Sequence, residues 1–385
     1  SGSGLQLRFH LGKSLGPVRL DDLEIGLSGS AAAPQRLDVT AGVSVSAHIG
    51  PVFARIDRIG LRASLAKTQP PQPANLHFAH LDLGFLAPRA VGITVDAKAV
   101  KGGGFVFYDP AKQQYGGVLE LEISGLVSVK AIGLIATRMP GGAKGYSMVL
   151  IITAENFRWQ LPMGFAITGL GGLMAIHRTC SEEALREGLR TKTLDLILFP
   201  KDPVANAPNI FSALERVFPA QRGSYILGPM LRITWGVPTI ITMDLALLIE
   251  WGVRDRFIVL GRISAILPNT DNDLLRLRMD VLGIVDFDQG TVAIDAVLVD
   301  SKLLDKFVLT GAMALRMRWT SPRSFALAVG GMHRSFTPPA GFPTLERLAL
   351  NLTTGSNPRL ACEAYFALTA NTVQFGAAAH LYAEG

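Results

Sequence analysis

With 385 residues, a formal charge of +6, 49% apolar and only 18% charged residues, the chain has more apolar surface to hide than an ordinary two-faced sheet carries. No run approaches the ~18 consecutive apolar residues of a membrane helix. That excludes a helical span and leaves open a barrel, whose strands need only about ten alternating residues each.

Ser1-Gly2-Ser3-Gly4 reads as a linker or cloning remnant with no signal-peptide pattern behind it. From Leu5 onward short alternating runs follow one another, as in Leu37, Val39, Ala41, Val43, Val45 and Ala47, punctuated at Gly16-Pro17 and Gly50-Pro51. Segment 68–74 is Pro-rich and predicts a flexible loop. Segments 76–86, 91–100, 104–108 and 117–129 continue as strands, with 108–116 as a hairpin connection, and 131–138 pairs with 146–157 across Pro140-Gly141-Gly142.

The middle of the chain departs from this pattern. Thr179, Ser181 and the acidic pair Glu182-Glu183 predict a capped helix start. Asn206 as N-cap, Pro208 in the first turn, and Ile210, Phe211, Leu214, Val217 and Phe218 at helical spacing predict a second helix ended by Pro219. Both are short and amphipathic, suited to covering an open end or edge of a sheet.

Beyond them the alternation is at its longest. In 239–251 Ile241, Met243, Leu245, Leu247 and Ile249 share one parity, with Thr242, Asp244 and Glu250 on the other. Phe257, Val259 and Ile263 then oppose Arg256, Arg262 and Ser264, and Leu275, Leu277, Met279 and Val281 oppose Arg276, Arg278 and Asp280. Period-2 alternation predicts strands with one buried and one wet face. On that reading Leu245, Leu247, Met279, Met313 and Phe366 are interior, whereas Arg262, Arg276 and Arg316 reach water. Segments 291–298, 307–319, 324–330, 348–352 and 360–368 extend the pattern, with a Pro-rich loop over 333–343 and turns at 271–273 and 353–358. Segment 373–382 still alternates near the end of the chain, as expected of a truncated sheet within a longer parent protein.

The predicted fold is therefore mainly β: an extended, curved antiparallel meander, whether groove, barrel-like or sandwich, with two short helices inserted mid-chain. Its divisions are the remnant 1–4, an N-terminal meander 5–178, a helical insertion 179–220 and a C-terminal meander 221–385 continuous with the first.

Chemical motifs are few. The glycines of 168–175 lack the third glycine of a dinucleotide fingerprint, because Met174 stands there, and they read as a bend. In His77-Phe78-Ala79-His80-Leu81-Asp82 only His80 and Asp82 share a strand face, which is no metal site. Asp271-Asn272-Asp273 lacks the glycine and distal Glu of a calcium loop. Asp244, Glu250, Asp280 and Asp286 sit among arginines and read as cross-strand ion pairs. Cys180 and Cys362 fit reduced, buried thiols. Aromatic and basic residues take opposite parities, so a stacking platform for single-stranded nucleic acid is not made. Nothing argues for catalytic residues or a cofactor.

The run Leu198-Phe199-Pro200-Lys201-Asp202-Pro203, with Gly228-Pro229-Met230-Leu231-Arg232-Ile233-Thr234-Trp235 and Pro338-Pro339-Ala340-Gly341-Phe342-Pro343, resembles a family of large β-rich bacterial proteins known only as a domain of unknown function. The resemblance extends from about Leu5 to the end. It implies a bacterial source and a longer parent, and supplies no catalytic residues.

The pattern itself suggests a non-enzymatic structural or binding protein. If the apolar face is an open groove, Ile241, Leu245, Leu247, Met279, Met313 and Leu315 are the residues to hold lipid or another apolar ligand; if the faces pack together, they form a sandwich core. The alternatives are a scaffold within a larger bacterial assembly, partnered by protein, and a membrane-inserting barrel or pore component. Trp235, Trp251 and Trp319 at strand ends fit a girdle, but four Trp and six Tyr are too few to ring many strands twice.

Overall fold

The computed structural model describes residues 4–30, 36–67, 79–86, 88–268, 273–352 and 359–382. The loop expected at 68–74, the turn at 353–358, His77 and most of the turn at 271–273 lie outside them. The protein is mainly β, with antiparallel pairing throughout and two α-helices. It divides into two compact units, 1–125 and 126–385.

In the first unit β1 (Gly4–Leu15), β2 (Val18–Ser30), β3 (Arg36–Ile49) and β4 (Val52–Lys67) pair in chain order. The far edge of β4 is shared end to end by β5 (Ala79–Leu86) and β6 (Ala90–Asp96), after which β7 (Val100–Asp109) and β8 (Gln114–Ile123) follow. One face is apolar, with Leu5, Leu7 and Phe9 opposite Leu27, Ile25 and Leu23. The other carries paired charges: Arg8 to Asp22 at 2.6 Å, and Arg58 and Arg89 to Glu24 at 3.3 and 2.7 Å.

The second unit begins with β9 (Val127–Arg138), β10 (Lys144–Gln160) and β11 (Phe165–Arg178). Here the helical segment interrupts the chain without interrupting the sheet, because β11 pairs directly with β12 (Ala220–Trp235), Ile176 facing Tyr225. The sheet thus continues across the insertion, and the two compact units divide at 125/126. β13 (Ile241–Trp251), β14 (Arg256–Pro268) and β15 (Asp273–Asp286) follow in order. Past β15 each row of the sheet is split in two. β16 (Thr291–Leu298) and β17 (Ser301–Leu303) share the edge of β15. β18 (Phe307–Thr310) and β19 (Ala312–Arg318) form the next row, broken at Gly311, and β20 (Ser324–Val329) and β21 (Leu348–Asn351) the one after. β22 (Arg359–Thr369) rejoins both halves and pairs with β23 (Val373–Tyr382).

The inserted segment contains α1 (Glu182–Arg190), a 3-10 turn (Thr193–Leu196) and α2 (Ala207–Val217). Ser181 caps α1 as expected, accepting from the Ala184 amide at 3.3 Å. Asn206 precedes α2 but does not cap it by its side chain, whose Nδ2 donates back to the Lys201 and Asp202 carbonyls instead. Nor does the segment cover an end or edge of the sheet. It lies against a face, and that face is the one bearing the charges. Leu248, Leu260, Ile258, Leu282 and Ile226 alternate with those charges and supply fully buried apolar partners for the helices. Farther along, the loop 330–347 folds onto the same face, where Met332, Phe336, Phe342 and Leu345 pack with Ala326, Ala328 and Ala367.

Side assignment is thus the reverse of the sequence expectation, although the parity is as read. Leu247 and Phe366 are 40% and 41% exposed, and Leu245, Met279 and Met313 half-buried. Arg262 and Arg316 are largely covered, and only Arg276 is exposed. The reason is geometric: amphipathic helices need apolar residues beneath them and partners for their polar rims, and only the mixed face offers both. The glycines of 168–175 also differ from expectation. They lie inside β11, where the ladder shifts between Ile167 and Gly169, and Gly169 makes room for the Phe199 ring from the helical segment.

A Cβ at Gly169 would stand 2.9 Å from that ring and 3.0 Å from the Arg232 Cβ, whereas one at Gly261 on the opposite face meets Leu245 and Val281 at an ordinary 3.5 and 3.6 Å. Gly169→Ala should therefore destabilise by about 1–3 kcal/mol through overpacking, and Gly261→Ala should stay within about 0.5 kcal/mol of wild type. Chemical denaturation of the two variants checks this; equal shifts would refute the side assignment.

Candidate functional site

Two features compete for attention in the second unit, and they lie on opposite faces. On the covered face Lys130, Glu155, Arg232, Asp244, Arg262, Asp195, Arg278 and Asp280 form one chain of alternating charge. Lys130 meets Glu155 at 3.0 Å, Arg232 meets Glu155 and Asp244 at 2.5 Å each, and Arg278 meets Asp195 and Asp280 at 2.8 Å each. Arg262 closes the chain by bonding both Asp244 and Asp195. Four cations face four anions, so the set is neutral. A second chain links Glu250, Arg256, Glu182, Arg186, Asp295 and Arg316. In it the Arg256 and Glu250 side chains are wholly buried and 2.6 Å apart.

Three residues of these chains come from the helical segment, and with Phe199 they fasten it down. Asp195 belongs to the 3-10 turn, Glu182 and Arg186 to α1, and Phe199 lies 4.6 Å beneath the Arg232 guanidinium. Lys130 also donates to the Pro200 carbonyl, and Arg262 to that of Leu198, both at 3.0 Å. Burial alone would raise the Asp195 carboxyl, but the hydrogen bond from Arg278 and the charges of Arg262 and Arg278 outweigh it and hold it below its usual range. Burial likewise works against the charged Arg232 and Arg278, and the hydrogen bonds they donate to Asp244 and Asp280 more than restore it. Arg178 is handled differently: burial pulls its guanidinium down to about 10, one donor reaches the Phe218 carbonyl at 2.7 Å, and its Nε has no partner among the described residues.

These pairs fasten the helical segment to the sheet. Each carboxylate is engaged by arginine or lysine, and among the described residues no three His, Cys, Asp or Glu side chains converge to hold a metal ion. Cys180 is buried beside Glu250, and burial pushes its thiol well above the usual range. Cys362, expected to be buried, is only partly so.

The opposite face is apolar without interruption from β11 to β16. Directly opposed residues share a face, so register alone assembles the rows. Leu150, Met174, Leu227, Ile249, Phe257, Val285, Val292, Met317 and Phe325 form one row across nine strands. Leu170, Leu231, Leu245, Gly261, Val281, Ala296, Met313, Val329 and Phe366 form another. Along β14 the apolar positions run from Phe257 to Leu267, roughly 34 Å at ~3.4 Å per residue.

All six residues singled out from sequence, Ile241, Leu245, Leu247, Met279, Met313 and Leu315, lie on this face. They do not converge. Leu245 and Met313 occupy one row but stand four strand spacings apart, about 19 Å. Sequence reasoning missed two local features. At one end of the strands Tyr146, His177, Tyr225 and Trp251 form a chain of ring contacts 5.4–5.8 Å between centroids, and Phe257, Phe287 and Trp319 continue it at 5.1 and 6.5 Å. Where the strands split, a hollow of about 650 Å³ opens, walled by Leu298, Leu309, Leu348 and Leu350.

The molecule so defined is an antiparallel β protein with a helix-covered, charge-paired face and an open apolar one. The chain belongs to a family of unknown function, DUF6603, whose model matches residues 11–385. No curated protein and no solved structure matches it.

Asp244, 2% exposed, serves both Arg232 and Arg262, so Asp244→Asn should cost about 3–5 kcal/mol by leaving buried cations underpaired. Leu247→Asp on the open face should cost about 1 kcal/mol or less. Thermal melts of the pair check the order. Asp195, its folded pKa depressed, contributes stability that is complete above its unfolded value near 4 and lost as pH falls through the folded one. The stability gap between wild type and Asp195→Asn should accordingly be constant near neutrality and shrink below about pH 4, read from denaturation midpoints across pH.

Proposed function

We propose that this chain is a non-enzymatic binding protein whose open sheet face receives lipid hydrocarbon. The observation that carries the reading is the uninterrupted apolar register from β11 to β16, with Asp244, Glu250, Arg256, Arg262, Asp280 and Asp295 of those strands directed to the other, covered face. A monomer rarely exposes contiguous apolar patches above a few hundred Å², and larger ones mark interaction or membrane surfaces. Leu, Ile, Val and Met dominate the rows. The rows carry no polar group for a partner to hydrogen-bond, and Met174, Met317 and Met313 among them are unbranched and adaptable.

A second reading, insertion into a bilayer, is favoured by the aromatic chain at one strand end and by Trp159, Phe165 and Trp235 near the other. Aromatic rings flank the apolar band of membrane barrels, and a ~34 Å band compares with the ~30 Å hydrocarbon core of a bilayer.

Chain purified without detergent should carry lipid that is extractable by organic solvent and visible as discrete added masses in native mass spectrometry. Leu245→Asp combined with Val259→Asp should abolish that retention while leaving the melting transition within a few degrees. A protein that carries no lipid and ignores phosphatidylcholine vesicles would refute the reading. Tight, salt-resistant sedimentation with vesicles and protection of the Trp251 end from aqueous quenchers would favour insertion over carriage.

A further inference from the structure

We infer that the covered face holds a site of its own, a cleft between the loop 330–347 and the β22–β23 pair that binds a small free oxyanion, carboxylate or phosphate. The site is independent of what the open face receives. The cleft measures about 270 Å³ and is lined by His333, Arg334 and Arg347 from the loop and by Glu363, Tyr365 and His380 from the strands. Register puts the strand residues on this side: Glu363 and Tyr365 share the parity of the buried Ala361 and Ala367, and His380 stands opposite Ala361.

The cationic wall is set by one close approach. Gly376 faces Tyr365, and a Cβ there would stand 2.4 Å from the Tyr365 ring, so only glycine lets that ring lie across β23. The Arg347 guanidinium stacks 4.3 Å from the ring centroid, and its two Nη atoms donate to the Gly330 and Met332 carbonyls at 2.8 Å each. Those bonds hold the group in place without exhausting its donors. His333 is held as well. Its amide donates to Gln374 Oε1 at 2.9 Å, and its Nδ1 accepts from the Ser335 amide at 3.2 Å, which leaves the proton of the neutral ring on Nε2 as a donor.

Charge selects the occupant. Arg232, Arg256, Arg262, Arg278 and Arg316 on this face each meet a carboxylate. Among the described residues neither Arg334 nor Arg347 does. Glu363, the carboxylate that lines the cleft, pairs with neither arginine and lies 4.0 Å from His380 Nε2, beyond hydrogen-bond range. Two guanidinium charges on one wall therefore exceed the negative charge available, and the planar fork of arginine matches carboxylate and phosphate oxygens. Size narrows the choice further, because about 270 Å³ falls just short of the ~300–1,000 Å³ of drug-sized sites.

Inorganic phosphate and succinate, each titrated calorimetrically into the intact chain at fixed ionic strength, test the site. At least one of them should bind saturably. Arg334→Gln, at an exposed position, should fold as wild type and weaken that binding about tenfold, as expected for loss of a hydrogen bond to a charged group. Arg323→Gln, equally exposed but outside the cleft, should bind as wild type. Equal weakening in both variants would reveal diffuse attraction to a basic surface and overturn the site, as would the absence of saturable binding by either ion. Binding to phosphatidylserine vesicles with no response to the free ions would overturn the assignment to a free oxyanion.

Discussion

Everything in the second unit depends on making a charged sheet face dry. Burying an arginine or a carboxylate alone is prohibitive, and burying a pair is tolerable only where geometry and additional hydrogen bonds offset lost hydration. Here the offset is collective. Arg262 and Arg278 share Asp195, Arg232 and Arg262 share Asp244, and none of these sets is complete until the helical segment delivers Asp195 to the sheet. Folding of the insertion and closure of the charged face are consequently one event. The apolar helix residues gain burial in the same step, as Leu185, Leu189, Leu214 and Val217 go fully under.

A strict period of two has a second effect. Once helices and the 330–347 loop occupy the charged face, every apolar residue of opposite parity is committed to the other side. The excess of apolar composition that the sequence displays is therefore not absorbed by a second layer among the described residues; it is spread over rows nine strands wide. The sheet keeps its core on the side where the polar residues are.

This explains which parts were legible in the sequence. Parity was, because it depends only on alternation, and Leu245 and Asp244 do face opposite ways. So were the two helices, from their caps and spacing. Which face would be covered was not, since a leucine-rich parity looks like an interior whether or not anything packs on it, and the decisive partners are far away in sequence. Asp195 lies in a 3-10 turn with no periodic signature, 67 residues from Arg262. The aromatic chain escaped notice because its rings come from alternating strand ends, with Tyr, Phe and His completing what Trp alone does not. The hollow is legible only after register is known: Cys362 and Ala379 are ordinary small residues until they are seen opposite Leu309 and Leu350.

Separating the two faces also separates the side chains that hold the fold from those it leaves uncovered. Side chains on the covered face are held by ion pairs and close packing, where substitution disturbs folding. Those on the open face contribute their burial only when something covers them, so they can vary in size and pattern at little cost to the fold. Sequence change on the open parity is then tolerated by the fold, with the split rows as the place where depth is easiest to vary. A strand broken at a single glycine, as at Gly311, needs no compensation from the covered side, because Ala312 and Ala314 remain packed there while Leu348 bends over the gap. In this arrangement the helices stabilise the sheet from one surface and leave the other to its own register.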